Sequence, residues 1–217
     1  MSDNKTRRIA MVDTQVRPSD VTKFPIIEAM LTVPREFYVP LEKREAAYIG
    51  ENLSLGADRV VLEPRTLAKM LDSLDIRKDE LVLDIGSGLG YSAAVIARMA
   101  EAVVAVEADE SHAAEAQVLL ADQNVDNVVV HHGALEVGAA DHGPYDVIVV
   151  QGGVEVLPDA LVAQLKNGGR IACLFMQGKL GVVKVGQKEA DQISWRPVFN
   201  AGAPLLAGFK HVAKFEL

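Results

Sequence analysis

Val82-Leu83-Asp84-Ile85-Gly86-Ser87-Gly88-Leu89-Gly90-Tyr91-Ser92-Ala93 is the stretch that decides the fold of this chain. It begins in an apolar run, Leu81–Ile85, broken only by Asp84. It then passes through three glycines in five positions and continues as an Ala-rich apolar segment to Ala100. A short apolar run has the length of a buried strand, and the longer segment behind it has that of a helix. Glycines at such a junction let the backbone approach a ligand closely. The helix that follows offers unpaired N–H groups at its start.

Downstream the alternation repeats. Ala102–Glu107 is the next strand, and 109–123 is a helical stretch. Strands follow at 127–131, 145–151 and 170–176, with a helix over 158–166 for which Gly168-Gly169 is the expected stop signal. The near-continuous valine and isoleucine runs (VVAV, VVV, VIVV) are what strands buried on both faces require. Strand, helix, strand in this order implies right-handed crossovers and parallel pairing. Beyond Leu180 the pattern changes to GVVKVG, ISWRPVF and the tail HVAKFEL, which predict antiparallel strands at one edge. The expected fold class is α/β: an open, mostly parallel, Rossmann-like sheet with antiparallel C-terminal edge strands.

Upstream, Pro18, Pro25, Pro34, Pro40 and Pro64 punctuate the chain. Thr22 is the expected cap of a helix with Pro25 in its first turn and an apolar stripe of Ile26, Ile27, Met30 and Leu31. Pro34 ends that helix, and Val33–Pro40 (VPREFYVP) is expected as an extended connector. A second helix follows Pro64, with Leu67, Met70, Leu71 and Leu74 at helical spacing. The expected organisation is one domain over 1–217, with an N-terminal helical cover (1–78) on a cofactor-binding core (79–217).

Composition narrows the function. The chain has 217 residues, 49% of them hydrophobic and 24% charged, values of an ordinary globular protein. Its net charge is −8 and its sequence pI about 5.1, which disfavours a nucleic-acid partner. One cysteine, Cys173, rules out an intrachain disulfide and suits a reducing compartment. The apolar runs are far shorter than the roughly 20 residues that span a bilayer. Lys5, Arg7 and Arg8 precede no apolar segment of the secretory kind. A cytoplasmic setting with no membrane partner is the expectation.

The ligand class follows from two carboxylates. In an open parallel sheet the ligand lies beyond the carboxyl ends of the strands. Glu107 ends the second strand, where it can accept hydrogen bonds from both hydroxyls of a ribose. Gly88-x-Gly90-x-x-Ala93 matches the fingerprint of a nicotinamide dinucleotide, so that reading competes. Asp84 favours S-adenosylmethionine instead. Two residues before the first glycine, it can orient the loop and meet the ammonium of the methionine moiety, whereas it would repel a diphosphate. Gly86, Ser87, Gly88 and Gly90 form the expected cradle, and Gln151, at the end of the fourth strand, is expected to line the crevice.

Here the chain resembles the protein-L-isoaspartate O-methyltransferases over most of its length. VRPSDVTKFPIIEAMLTVPREFYVP resembles the family's opening helix and its Val-Pro-Arg-x-x-Phe/Tyr-Val-Pro signature. VLDIGSGLGYSAA resembles its cofactor loop. VVAVEAD resembles its second strand, with Glu107 as the ribose acid and Ala108 beside it. PYDVIVVQGG and LPDALVAQLKNGGRIACL resemble its fourth strand, helix, glycine stop and next strand. The resemblance implies S-adenosylmethionine as cofactor, and as substrate a protein or peptide bearing abnormal L-isoaspartyl residues, esterified at the carboxylate.

Two departures accompany it. In the family a serine contacts the substrate carboxylate; the matching segment here is Arg59-Val60-Val61-Leu62-Glu63-Pro64, with Leu62 in the serine position. The family's Gly-Asp-Gly, whose Asp contacts the adenine amino group, is here Gly133-Ala134-Leu135. A carboxylate acceptor with a pKa near ~4 is already ionised at neutral pH, so the transfer needs no general base. The enzyme mainly aligns reactants and excludes water. The lost serine removes positioning worth about 1.5–3 kcal/mol. Arg59 is the candidate replacement, because a guanidinium binds a carboxylate bidentately. These departures also fit a methyltransferase with a changed substrate, or a non-catalytic cofactor-binding protein.

The remaining candidates have bland readings. His131-His132 point to opposite faces of a strand and do not converge on one metal. Cys173 is expected to be a core thiol, Trp195 packing in the late sheet, and 72–80 a solvated helix end. Phe37, Tyr38 and Tyr48 are expected as core of the cover rather than walls of a peptide groove. Asp146 opens the fourth strand, where it would either touch the glycine loop or cap the surface.

Overall fold

In a computed structural model, residues 2–190 and 192–211 are described, and the first described element is a helix that the sequence pattern does not announce. α1 (Ser2–Met11) is polar along most of its length and runs into a π turn at Val12–Val16. Met11, Val12 and Val16 anchor it in the core. Arg7, paired with Asp3 and Glu45 at 2.8 Å each, ties its outer face down.

α2 (Phe24–Thr32) carries Pro25 in its first turn and buries Ile26, Ile27 and Met30. Lys23, not Thr22, is its N-terminal flanking residue, and no side chain caps it. The expected extended connector after it is instead a 3-10 turn at Arg35–Tyr38. Arg35 accounts for the difference, because two nitrogens of its fully buried guanidinium find acceptors when the backbone folds inward around it, while Nη1 has no partner among the described residues. Its Nε–H donates to the Ala47 carbonyl at 2.7 Å and an Nη2–H to the Leu62 carbonyl at 2.8 Å. The same group lies 4.6 Å from the ring centre of Tyr91.

The cover is not purely helical. β1 (Leu53–Gly56) and β2 (Arg59–Val61) form an antiparallel hairpin, separate from the main sheet. α3 (Pro64–Leu74) follows as expected and buries Leu67, Met70, Leu71 and Leu74.

The core then unfolds along the expected lines. β3 (Leu81–Ile85), α4 (Tyr91–Ala97), β4 (Ala102–Glu107), α5 (Glu110–Asp122) and β5 (Val128–His132) come first. β6 (Tyr145–Val154), α6 (Asp159–Gln164), β7 (Leu165–Gln177), β8 (Leu180–Glu189) and β9 (Gln192–Ala201) complete it. Among the described residues the main sheet has seven strands in the order β5-β4-β3-β6-β7-β8-β9. The pairs from β5 to β7 are parallel, and β7·β8 and β8·β9 are antiparallel. Chain order reverses direction at β3, so the ligand crevice of such a sheet lies above its carboxyl end. One hydrophobic core joins the cover and α4 to the sheet, and a second lies on the opposite face around Leu83, Ile148, Leu161 and Phe209.

Two further expectations change. α6 stops at Gln164, before Gly168-Gly169, because the Gln164 amide is pinned. Its Oε1 accepts from the Ala139 N–H at 2.9 Å and its Nε2–H donates to the Val137 carbonyl at 2.7 Å. Leu165 is already extended and pairs with Tyr145, and Gly168 (φ +78°) lies within β7. Segment 72–80 is not merely solvated. Glu80 is buried and receives two Arg170 N–H groups at 2.9 and 2.7 Å, while Arg170 Nε–H reaches the Leu74 carbonyl at 2.7 Å. The ion pair thus welds the end of α3 to β7. Of the expected tail strand, His211 is irregular and Val212–Leu217 lies outside the described residues. No described helix is long and apolar enough to cross a membrane.

Candidate cofactor site

The glycine loop sits between β3 and α4, as the sequence requires. Gly86, Gly88 and Gly90 all have positive φ (+80°, +57° and +96°), a region that costs other L-residues strain. Gly86 N–H and Ser87 N–H both donate to the Val106 carbonyl, at 2.8 and 3.2 Å, which fastens the loop to β4. Ser87 is buried, and its hydroxyl has no partner among the described residues.

Asp84 is fully buried beneath the loop. One carboxylate oxygen accepts from the Ser92 hydroxyl at 2.5 Å and the other from the Gln151 amide at 2.7 Å. It therefore orients the loop through α4 and β6, and both oxygens are engaged within the protein. Burial pushes its pKa up to about 6, despite the lowering effects of Ser92 and Gln151. Gln151 is itself buried and lines, with Gly86 and Ser87, the small space on its side of the loop; its strand runs on to Val154 instead of ending there.

Glu107 ends β4 with its carboxylate fully buried. Oε2 accepts the Gly88 N–H at 2.7 Å, and Oε1 accepts the N–H groups of Ala108 (2.9 Å) and Asp109 (3.0 Å). Arg59, on β2, completes the set, with Nη1–H to Oε1 and Nη2–H to Oε2, both at 2.8 Å. The sequence reading places Arg59 against a substrate carboxylate. In the structure the bidentate partner is Glu107, because the hairpin delivers Arg59 to the end of β4.

The crevice consequently has two unequal parts. Outside Glu107 a cavity of about 410 Å³ lies between the hairpin tip, Ala108-Asp109, His112, Leu135 and the segment containing Leu205 and Lys210. On the Ser87–Gln151 side of the loop, beneath Val60–Leu62, there remains a space of about 10 Å³. Leu55 fills the ground over the loop: a Cβ built on Gly88 would lie 2.4 Å from its Cδ1.

The other candidates disperse. Gly133 N–H donates to the Glu107 carbonyl at 3.0 Å, Ala134 begins a turn closed by Val137, and Leu135 walls the larger cavity. Leu62 is buried, and Glu63 accepts from the Thr66 hydroxyl at 2.6 Å. Asp146 is at the opposite end of its strand from the loop, accepting from Leu81 N–H and pairing with Lys166. His132 Nε2 lies 3.2 Å from the Ala108 carbonyl, whereas His131 stacks edgewise on His142. Tyr38 and Tyr48 are buried, the Tyr48 hydroxyl donating to Glu36, while Phe37 lies at the surface near Arg44. Cys173 is buried, which pushes its thiol pKa up, and Trp195 packs edge-on against Phe175. Sequence reasoning missed Leu55 and the hairpin. Apolar pairs at Leu53, Leu55 and Val60, Val61 around Gly56-Ala57-Asp58 were the available signal.

The donor set suits the expected cofactor in kind. A buried carboxylate at the end of β4 can take a diol, and the glycine loop presents backbone without side chains. The observation that qualifies this fit is that Glu107 and the ground over Gly88 are both taken by the hairpin.

Comparison with known proteins identifies the family and the fold. Residues 7–200 match the family described as Protein-L-isoaspartate(D-aspartate) O-methyltransferase. Protein-L-isoaspartate O-methyltransferase of Roseiflexus castenholzii is 33% identical over 87% of this chain and 82% of its own length. That of Syntrophus aciditrophicus is 36% identical over 76% of each. A solved protein-L-isoaspartate O-methyltransferase superposes with a TM-score of 0.81 at 24% identity, covering 93% of this chain and 66% of the other. A Plasmodium falciparum structure bearing the name beta-aspartate methyltransferase, in complex with S-adenosyl-L-homocysteine, gives 0.77 at 18% identity over 94% and 97%. The described fold is that of these structures, and the chain is a member of the protein-L-isoaspartate(D-aspartate) O-methyltransferase family.

Proposed function

We propose that this protein uses S-adenosylmethionine to esterify carboxylates of damaged proteins, with L-isoaspartyl residues as the acceptors. The observation that carries the reading is Glu107, a buried carboxylate at the end of β4 whose Oε2 accepts the Gly88 N–H at 2.7 Å. That contact joins the sugar-binding acid and the glycine loop in one rigid unit. When bound, the cofactor supplies an electrophilic methyl group on a sulfonium. Glu107 is the residue that would hold the ribose, and Gly86 and Gly88 offer backbone to the amino-acid portion. Asp84, engaged by Ser92 and Gln151, fixes the start of α4 rather than moving a proton. No base is required of the protein, because the acceptor is already an anion at neutral pH.

Leu62 supports a second reading, a changed acceptor on the same scaffold. It is buried and apolar, so it offers no hydrogen bond to an anionic substrate. A cytoplasmic setting belongs to the same proposal, and the single buried thiol, which suits a reducing compartment, supports it. The decisive assay is transfer of labelled methyl to an isoaspartyl peptide and to its aspartyl twin. Preferential labelling of the isoaspartyl peptide is expected. Labelling of neither, with labelling of other acceptors, would establish the changed-substrate reading.

A further inference from the structure

We propose that Arg59 is a built-in competitor for the ribose seat on Glu107, and that with Leu55 it sets how tightly this chain holds its cofactor. The inference rests on the S-adenosylmethionine reading and goes beyond it. A ribose offers two hydroxyl donors, and they need acceptor positions on a carboxylate. Here Glu107 Oε1 already accepts from Arg59, Ala108 and Asp109, and Oε2 from Arg59 and Gly88. Three of these donors are backbone groups fixed by β4 and the glycine loop. Arg59 is the one donor that can leave, and it fills the bidentate face that a diol would use.

The surroundings show how it can leave. Arg59 is carried by a hairpin that makes no strand pairing with the main sheet, and its Nε has no hydrogen-bond partner among the described residues. The hairpin tip places Ala57 (φ +44°) and Asp58 (φ +60°) in the left-handed region, which non-glycine residues adopt at a cost. Leu55, on the same hairpin, lies over Gly88, while Arg59 Nη2 is 3.1 Å from where a Cβ on Gly86 would stand. One displacement of β1–β2 would therefore free both the ribose acid and the backbone of the loop. The cavity of about 410 Å³ outside Glu107 gives a ligand a place to arrive before that displacement.

The test is calorimetric titration of the whole protein with adenosine and with S-adenosylhomocysteine. Wild type is compared with Arg59→Ala, Arg59→Met and Leu55→Ala. Arg59→Met keeps the packing stem, so that it reports even if the alanine variant folds poorly. Removing a competing charge-assisted contact should tighten both ligands by about tenfold or more in the Arg59 variants. Leu55→Ala should tighten S-adenosylhomocysteine but not adenosine, which lacks the amino-acid portion. A residue that instead helps to hold the cofactor would give the opposite sign. Weaker or unchanged binding of both ligands in both Arg59 variants would overturn the proposal while leaving the cofactor reading intact. No binding of either ligand to any of the four proteins would overturn the cofactor reading itself.

Discussion

Glu107 Oε2 accepts the backbone N–H of Gly88 at 2.7 Å, so the end of β4 and the glycine loop between β3 and α4 move as one body. The same carboxylate takes Arg59 and the N–H groups of Ala108 and Asp109. Removing one partner of a buried ion pair leaves the other uncompensated, at a cost of roughly 3–5 kcal/mol. The two partners are not equivalent here. Without Arg59, Glu107 keeps three backbone donors; without Glu107, those donors and the guanidinium all lose their acceptor. Chemical denaturation should therefore find Glu107→Ala more destabilising than Arg59→Ala. The reverse order would show that the backbone contacts do not support the carboxylate.

Gly88 is required both by its backbone and by its neighbour. At φ +57° an alanine is strained, and its Cβ would stand 2.4 Å from Leu55 Cδ1. Gly88→Ala should cost at least about 1–3 kcal/mol. Adding Leu55→Ala removes the clash but not the strain, so the double variant should be more stable than the sum of the single effects. Strict additivity in a double-mutant cycle would contradict that packing.

Arg35 holds the cover in shape. Its two hydrogen bonds reach the Ala47 and Leu62 carbonyls, and its plane lies against Tyr91. Arg35→Ala strands both carbonyls and opens a cavity, for a loss of roughly 3 kcal/mol or more. Lysine, with no planar fork, should recover less than half of it. Thermal unfolding of the two variants checks this; full recovery by Arg35→Lys would mean that charge alone matters.

Asp84 predicts a pH dependence. Burial raises its pKa to about 6, above the roughly 4 of an unfolded aspartate. The folded state then binds the proton more tightly than the unfolded one, so ionisation of Asp84 opposes folding. That penalty is complete above about pH 6 and fades as the pH falls toward ~4, a swing of about 3 kcal/mol. Asp84→Asn cannot titrate. The stability of wild type relative to Asp84→Asn should therefore rise on acidification through this window, and a flat difference would show that Asp84 is not raised.

What the sequence made legible follows from how local each signal was. The strand–glycine–helix unit, the parallel order and Glu107 are encoded within a few residues of one another, and periodicity exposes them. The polar helix α1 escaped because Met11, Val12 and Val16, which bury it, all lie at or beyond its end. The 3-10 turn at Arg35–Tyr38 escaped because its cause is a buried arginine whose acceptors, Ala47 and Leu62, are 12 and 27 residues away. The sequence suggests Arg59 as a ligand of the substrate carboxylate, whereas the carboxylate it meets belongs to Glu107, 48 residues onward in the same chain. A bidentate pair of that separation leaves no local pattern.

The crevice above β3 and β4, as proposed, takes a methyl donor and not a dinucleotide. Parallel calorimetric titrations with S-adenosylhomocysteine and with NAD, on wild type and on Arg59→Ala, test it most directly. Saturable binding of S-adenosylhomocysteine at one site per chain, tighter in Arg59→Ala, and no saturable heat with NAD are the expected results. Saturable NAD binding, with no S-adenosylhomocysteine binding to either protein, would contradict the methyl-donor reading.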